Sequence, residues 1–129
     1  MKMTTTSPRE TELLGERLAQ QLKGGEVLAL FGGMGMGKTA FTRGLAHGLD
    51  VQEPVSSPTF ALVNEYAGRL PLYHFDMYRV TSWDDLYSTG FFDYLETGGV
   101  LVIEWSENIE EALPENTVKI IFKRENGEN

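Results

Sequence analysis

One short run constrains this chain more than any other. Gly32-Gly33-Met34-Gly35-Met36-Gly37-Lys38-Thr39 fits the pattern G-x-x-x-x-G-K-[ST]. Its glycines let the backbone curl until successive N–H groups point inward at phosphate oxygens. A helix opening near Lys38 adds the positive end of its dipole. The Lys38 ammonium then reaches the β- and γ-phosphates, and the Thr39 hydroxyl takes Mg²⁺. With glycine at about 7% of residues, a chance match arises roughly 0.5% of the time in a chain of this length. The flanks sharpen the reading. Val27 to Phe31 is a continuous apolar run, as a buried strand is. Lys38 to His47 places Phe41 and Leu45 on one helical face, with Gly48 as its stop. A glycine-rich turn with an incidental lysine would need neither flank. The expected unit is therefore strand, phosphate loop, helix, with ATP or ADP and Mg²⁺ as ligands. Gly35, Met36, Gly37, Lys38, Thr39 and Ala40 are the loop residues expected to hold the nucleotide.

The remaining elements follow from punctuation and periodicity. Ser7-Pro8-Arg9-Glu10 has capping-box spacing, with proline where a missing N–H costs nothing. Leu14, Leu18 and Leu22 recur at i, i+4, i+8 beside Leu13, and Gly24-Gly25 ends the helix. Residues 60–66 and 71–76 are β-like and flank Ala67-Gly68-Arg69-Leu70, which predicts a hairpin. Ser82 caps a short helix opening Trp83-Asp84-Asp85, with acids where the dipole favours them. Phe91 to Glu96 reads as another short helix, Val100 to Ile103 as a second buried strand and Thr117 to Phe122 as a third. No internal repeat, low-complexity tract or linker interrupts the 129 residues. The expected architecture is one α/β domain over 1–129, a P-loop NTPase fold whose mixed sheet includes a hairpin and is flanked by helices.

Composition narrows the class. Apolar residues are 41% and charged residues 23%, a balance that supports a folded core and not disorder. No run approaches the ~18 apolar residues of a membrane span. Met1 to Glu10 is polar, so a secretory signal is not expected. The chain has no cysteine, which excludes disulfides, thiolate metal sites and cysteine nucleophiles and fits a cytoplasmic location. The net charge of −8 is uneven: residues 65–129 carry thirteen acids and five bases, and between Val80 and Val118 there are nine acids and no Lys or Arg. Such a surface repels a phosphate backbone, because nucleic-acid affinity rests on Lys and Arg. Any link to RNA is therefore expected to run through a partner.

A phosphate loop needs a carboxylate at a nearby strand end, to hold Mg²⁺ or its waters or to orient the attacking water. Two strands deliver one: Leu72-Tyr73-His74-Phe75 ends in Asp76, and Val100-Leu101-Val102-Ile103 ends in Glu104. The residues alone leave open which acts on the metal. Alternation puts His74, Asp76 and Tyr78 on one face and Tyr73, Phe75 and Met77 on the other. His74 is expected to hydrogen-bond the Asp76 carboxylate. Arg79 is either a charge-stabilising arginine or the partner of Asp76. Trp105 is either a packing residue or an exposed anchor. Ser57-Pro58-Thr59-Phe60 sits where P-loop proteins often keep a nucleotide-sensing segment, and is either that or an ordinary strand entry.

Several segments together resemble the bacterial tRNA threonylcarbamoyladenosine biosynthesis ATPases, the TsaE family. They are Thr11-Glu12-Leu13-Leu14-Gly15, the phosphate loop through Gly44, Ser57-Pro58-Thr59-Phe60 with Val63-Asn64-Glu65-Tyr66, His74-Phe75-Asp76-Met77-Tyr78-Arg79, and Glu104-Trp105. The resemblance implies a weak ATPase that works with two sugar-kinase-like partners, TsaB and TsaD. It implies Mg²⁺ held by Thr39 and Glu104, functional roles for Asp76 and Trp105, and Thr11 near the nucleotide. Gly33 stands where the family often has an acid, and the chain stops soon after Phe122, where many members continue through further strand-like sequence. The rival readings lack their own marks. A GTPase needs N-K-x-D, which the chain does not contain. A small-molecule kinase needs a lid rich in arginines, and the second half has only Arg69, Arg79 and Arg124. A non-catalytic nucleotide-binding module keeps the loop but lacks a group that positions water.

Overall fold

The computed structural model describes residues 4–32, 35–55 and 63–123. Gly33, Met34, the Ser57-Pro58-Thr59-Phe60 segment and Arg124 lie outside the described residues. The chain order is α1 (Pro8–Ala19), β1 (Val27–Phe31), α2 (Gly35–Gly48), β2 (Val63–Tyr66), β3 (Leu72–Asp76), α3 (Trp83–Ser88), α4 (Phe91–Tyr94), β4 (Val100–Glu104), a 3₁₀ helix (Ser106–Ala112) and β5 (Val118–Ile121). The strands form one sheet in the order β2-β3-β4-β1-β5. β1 runs parallel to both β4 and β5, and β3 runs parallel to β4. Among the described residues only the predicted hairpin is antiparallel, with Asn64 opposite His74 and Tyr66 opposite Leu72.

Two apolar clusters cover the two faces of this sheet. Leu28 and Leu30 of β1, Leu72 of β3 and Val100 and Val102 of β4 pack with Phe41, Leu45 and Leu49 of and after α2. The alternate residues Val27, Phe75, Leu101 and Ile103 pack with Leu86, Phe91 and Ile109 from the short helices. The central strands β1 and β4 are thus covered on both sides, which is why they read as unbroken apolar runs. Among the described residues no helix is long and apolar enough to cross a membrane.

The first helix differs from its sequence expectation in three ways, the first being that it ends at Ala19, with Gln20 as its cap, and not at Gly24-Gly25. Ser7 does cap it, its hydroxyl accepting from the Glu10 N–H at 3.2 Å. The Glu10 carboxylate, however, reaches past Ser7 to the N–H and hydroxyl of Thr6. These bonds, the hydroxyl first, hold its pKa below the usual carboxylate value. The buried face is Thr11, Gly15 and Ala19, not the Leu14–Leu18 stripe. The cause is close approach of backbone to backbone. A Cβ on Gly44 would collide with the Glu12 carbonyl, and one on Gly15 with the Phe41 carbonyl. A Cβ on Gly48 would stand 2.6 Å from Ala19. α1 and α2 therefore cross through their small residues, and the leucines sit at the margins of the contact. Glu12 lies at Gly44 and Glu16 at Gly48, so the two helices run in the same direction. That register puts Thr11 on the side of the crossing nearer the start of α2.

Candidate functional site

The parallel strands β1, β3 and β4 all end at one edge of the sheet, where open α/β sheets bind ligands. β1 releases the chain into the phosphate loop through Gly32, whose φ of +106° and tight fit against the Phe122 backbone suit only glycine. α2 begins at Gly35, three residues earlier than the apolar pattern suggested, so Gly35, Met36 and Gly37 form its first turn. The N–H groups of a first turn have no partner within the helix, and no acidic side chain lies in this one. They are therefore available to an anion, with the dipole of a 14-residue helix behind them.

Lys38 and Thr39 follow in the second turn. Lys38 is only 6% exposed and forms no ion pair among the described residues. Its Nζ lies 5.8 Å from the centre of the Trp105 ring. A buried ammonium with an aromatic face beside it and no ion-pair partner among the described residues has a strong claim on an incoming anion. Thr39 is half-buried. The Ala40 side chain is packed in the core, so any part it has in binding runs through its backbone. Thr42 is tied to α2 itself, donating to the Lys38 carbonyl at 2.9 Å.

The two strand-end carboxylates stand side by side. Asp76 of β3 is the register partner of Glu104 of β4, and the Met77 N–H donates to the Glu104 carbonyl at 3.0 Å. Glu104 follows Val100 and Val102 in alternation, so its side chain faces the α2 layer. His74 shares that face with Leu72. The expected His74–Asp76 bond is not formed: His74 Nε2 lies 2.6 Å from Glu104 Oε2. Glu104 lies diagonally across the β3–β4 pair, two residues beyond Val102, the register partner of His74, a separation of about 7–8 Å that long side chains bridge. Asp76 instead turns its Oδ1 to the Tyr78 N–H at 2.9 Å, closing the turn after β3. Arg79 is exposed and pairs with no carboxylate among the described residues, Asp76 included.

Trp105 carries the positive backbone φ of 60° that marks a left-handed residue, uncommon for a bulky side chain. The turn aims its ring outward, 43% exposed, between Lys38 and Tyr78. The Tyr78 and Trp105 rings meet edge to face at 4.9 Å. With Arg79, Val80, Thr81 and Asn108 they line an open cleft of about 570 Å³. Trp105 is thus the exposed one of its two alternatives. Thr11 is buried, its hydroxyl donating to the Ser7 carbonyl at 3.3 Å and bonded to the Thr5 hydroxyl at 2.6 Å.

Two residues here carried no sequence mark. The Glu107 carboxylate accepts from the Gly32 N–H at 3.2 Å, joining the 3₁₀ helix to the first glycine of the loop. Asn108 donates to the carbonyls of Met77 and Tyr78, joining the same helix to the turn after Asp76. Glu107 was one acid among nine, and nothing in the pattern separates it from the others.

A family model described as threonylcarbamoyl adenosine biosynthesis protein TsaE matches residues 5–129. The chain belongs to the TsaE family. The tRNA threonylcarbamoyladenosine biosynthesis protein TsaE of Bacillus subtilis is 42% identical over 125 residues, 96% of this chain and 78% of that protein. The protein of the same name from Treponema pallidum is 42% identical over 123 residues, 95% of this chain and 91% of its own length. The crystal structure of Bacillus subtilis YdiB superposes with a TM-score of 0.72 at 39% identity, covering 93% of this chain and 74% of that one. The fold is accordingly the P-loop NTPase fold of the TsaE family, with a mixed five-stranded sheet flanked by helices.

Proposed function

We propose that this TsaE-family chain is a Mg²⁺-dependent ATP hydrolase serving formation of threonylcarbamoyladenosine on tRNA. One observation carries the enzymatic part. The carboxyl ends of β1, β4 and β3 bring the phosphate loop, Glu104 and Asp76 to a single sheet edge, where a buried Lys38 has no carboxylate among the described residues to neutralise it. In this reading the N–H groups of residues 35–40 and the Lys38 ammonium bind the phosphates of ATP, and ADP after it. Thr39 and Glu104 offer a hydroxyl and a carboxylate oxygen, the hard donors that Mg²⁺ takes beside phosphate oxygens and water. Glu104 Oε1 accepts no hydrogen bond among the described residues, so the carboxylate has an oxygen to give. Bound Mg²⁺ would neutralise charge on the phosphates. Asp76 acts beside that site, on water or on the turn it closes, and Thr11 lies near the nucleotide.

The family name places the work in tRNA modification, and the acidity of residues 80–118 argues that this chain meets tRNA only through protein partners, TsaB and TsaD. The expected setting is the cytoplasm. Phosphate release from ATP, measured with and without TsaB and TsaD, tests the proposal. Release that depends on Mg²⁺ and rises with the partners is the expected result. Tight nucleotide binding with no release under either condition would leave a non-catalytic binding module. Transfer of phosphate to a small acceptor in place of water would make the chain a kinase.

A further inference from the structure

The His74–Glu104 contact has no assigned role. His74 is 2% exposed, and its Nε2 lies 2.6 Å from Glu104 Oε2. An ionised carboxylate only accepts, so Nε2 carries the hydrogen and donates it. The other ring nitrogen, Nδ1, is buried with no hydrogen-bond partner among the described residues. An imidazole with one orphaned nitrogen is a poor choice for packing alone, because a buried polar atom left unmet loses its hydration without compensation. Its neighbours on that sheet face are Leu72, the cross-strand Val102 of β4 and Asn64 of β2, and none of them satisfies Nδ1. Asp76 stands directly opposite Glu104 in the register but spends its Oδ1 on Tyr78. His74 is thus the side chain that takes hold of the Glu104 carboxylate.

We propose that His74 is a positioning residue for Glu104: by holding Oε2 it fixes the carboxylate plane and leaves Oε1 as the single oxygen offered to the metal. Mg²⁺ demands near-ideal octahedral geometry, which a one-oxygen carboxylate fixed in place meets better than one free to rotate into two-oxygen binding. Partners of metal-binding carboxylates orient them in this way in general, and removing one weakens metal affinity about 10–100-fold. The inference rests on the reading of Glu104 as a metal ligand.

The test is Mn²⁺ binding to the full chain in the presence of ADP, followed by electron paramagnetic resonance, for wild type, His74→Leu, His74→Gln and Glu104→Ala. The glutamine amide nitrogen takes the place of Nε2 as a donor, and leucine cannot donate. His74→Leu should weaken Mn²⁺ binding about 10–100-fold, His74→Gln should retain most of the affinity, and ADP binding without metal should be unchanged in both. Should His74→Leu not fold, as its melting temperature without metal would show, His74→Asn replaces it, because its shorter amide does not reach Oε2. Wild-type Mn²⁺ affinity in the non-donating variant, with affinity lost in Glu104→Ala, would overturn the role of His74 alone. Equal loss in the leucine and glutamine variants would overturn it too, by making the effect one of packing. Unchanged Mn²⁺ affinity in Glu104→Ala would remove the metal reading and this inference with it.

Discussion

At the scale of single residues, Lys38 and Glu104 are asked to do different things, and substitutions separate them. Under the proposed function, Lys38→Ala removes the charge aimed at the β- and γ-phosphates. By analogy with the loss of one oxyanion donor, ATP hydrolysis should fall at least about 100-fold. Single-turnover phosphate release measures this, and a wild-type rate would end the reading of residues 32–39 as a phosphate loop. Glu104→Ala should raise the Mg²⁺ concentration for half-maximal activity more than Asp76→Ala does, because Asp76 already bonds the Tyr78 N–H and Glu104 keeps one oxygen unbonded. The opposite order in a Mg²⁺ titration would exchange their roles. The strand-end positions of both acids and the place of the lysine early in α2 were legible in the sequence, since a strand-end carboxylate and a G-K-T run are local signals. The partner of His74 was not. Alternation put His74 and Asp76 on one face, which is right, but the contact that forms is diagonal and crosses to β4. Strand order is a property of the whole sheet, and no single strand carries it. Glu107 and Asn108 escaped for the same reason, because their bonds reach back 75 and 31 residues.

At the scale of elements, the strands were the easier part to read. β1, β3 and β4 are central or parallel, buried on two faces, and bounded by Gly, Pro or an acid, so each announces itself in five letters. Helix faces were harder. The leucines of α1 predict a wide apolar stripe, yet the tightest contact runs through Gly15, Ala19, Gly44 and Gly48. A glycine has no hydrophobic signal, so a backbone-to-backbone crossing is silent in a periodicity argument. It has a clear consequence. Gly44→Ala places a methyl group on the Glu12 carbonyl, in a contact that neither backbone can relieve alone. We expect it to cost about 1–3 kcal/mol or more, read as a lower urea midpoint, while Gly25→Ser, with open space around its Cβ position but a left-handed φ, costs less. A second link joins β2 to α4. The Tyr94 hydroxyl donates to Glu65 Oε2 at 2.5 Å. That bond, then burial and the carboxylate charge, pushes the phenol up to about 12. Its unfolded value is about 10, so the proton is held more tightly in the folded state. The stabilisation is whole below pH ~10 and is lost as pH rises through ~12. Urea midpoints of wild type and Tyr94→Phe should therefore converge between pH 9 and 12. A constant difference across that range would mean that the hydroxyl contributes through packing and not through its proton.

At the scale of the whole molecule, charge and aromatic exposure lie together. The aromatics that interleave with the acids between residues 80 and 118 sort into two sets. Phe91 is wholly buried and Phe92 and Tyr94 are partly buried, so these build the lower face of the sheet. Trp83, Tyr87 and Trp105 stay 52%, 64% and 43% exposed. Trp83 and Tyr87 lie on α3 beside Asp84, with the exposed acids Asp93 and Glu96 following on α4 and just after it. Large exposed aromatics among charges of one sign are what a protein interface uses as anchors and as a guide. The partner that fits is a basic protein surface, which is also the kind of surface that tRNA would occupy. Solubility alone would explain the acids but not the rings. The distinguishing measurement is the rate at which this chain associates with the proposed partners, TsaB and TsaD. Exposed charges are screened beyond ~8–10 Å near physiological ionic strength, so association should slow as salt rises. Reversing Asp84, Asp93 and Glu96 to lysine should slow it further at low salt. Asp85 is left out of the set because its carboxylate accepts from the Thr81 N–H and hydroxyl and so holds the start of α3. Nucleotide binding should be unchanged in the triple variant, because none of its three sites belongs to the phosphate loop, to β3 or to β4. An association rate indifferent to salt and to the reversals would leave the acids as a solubilising coat.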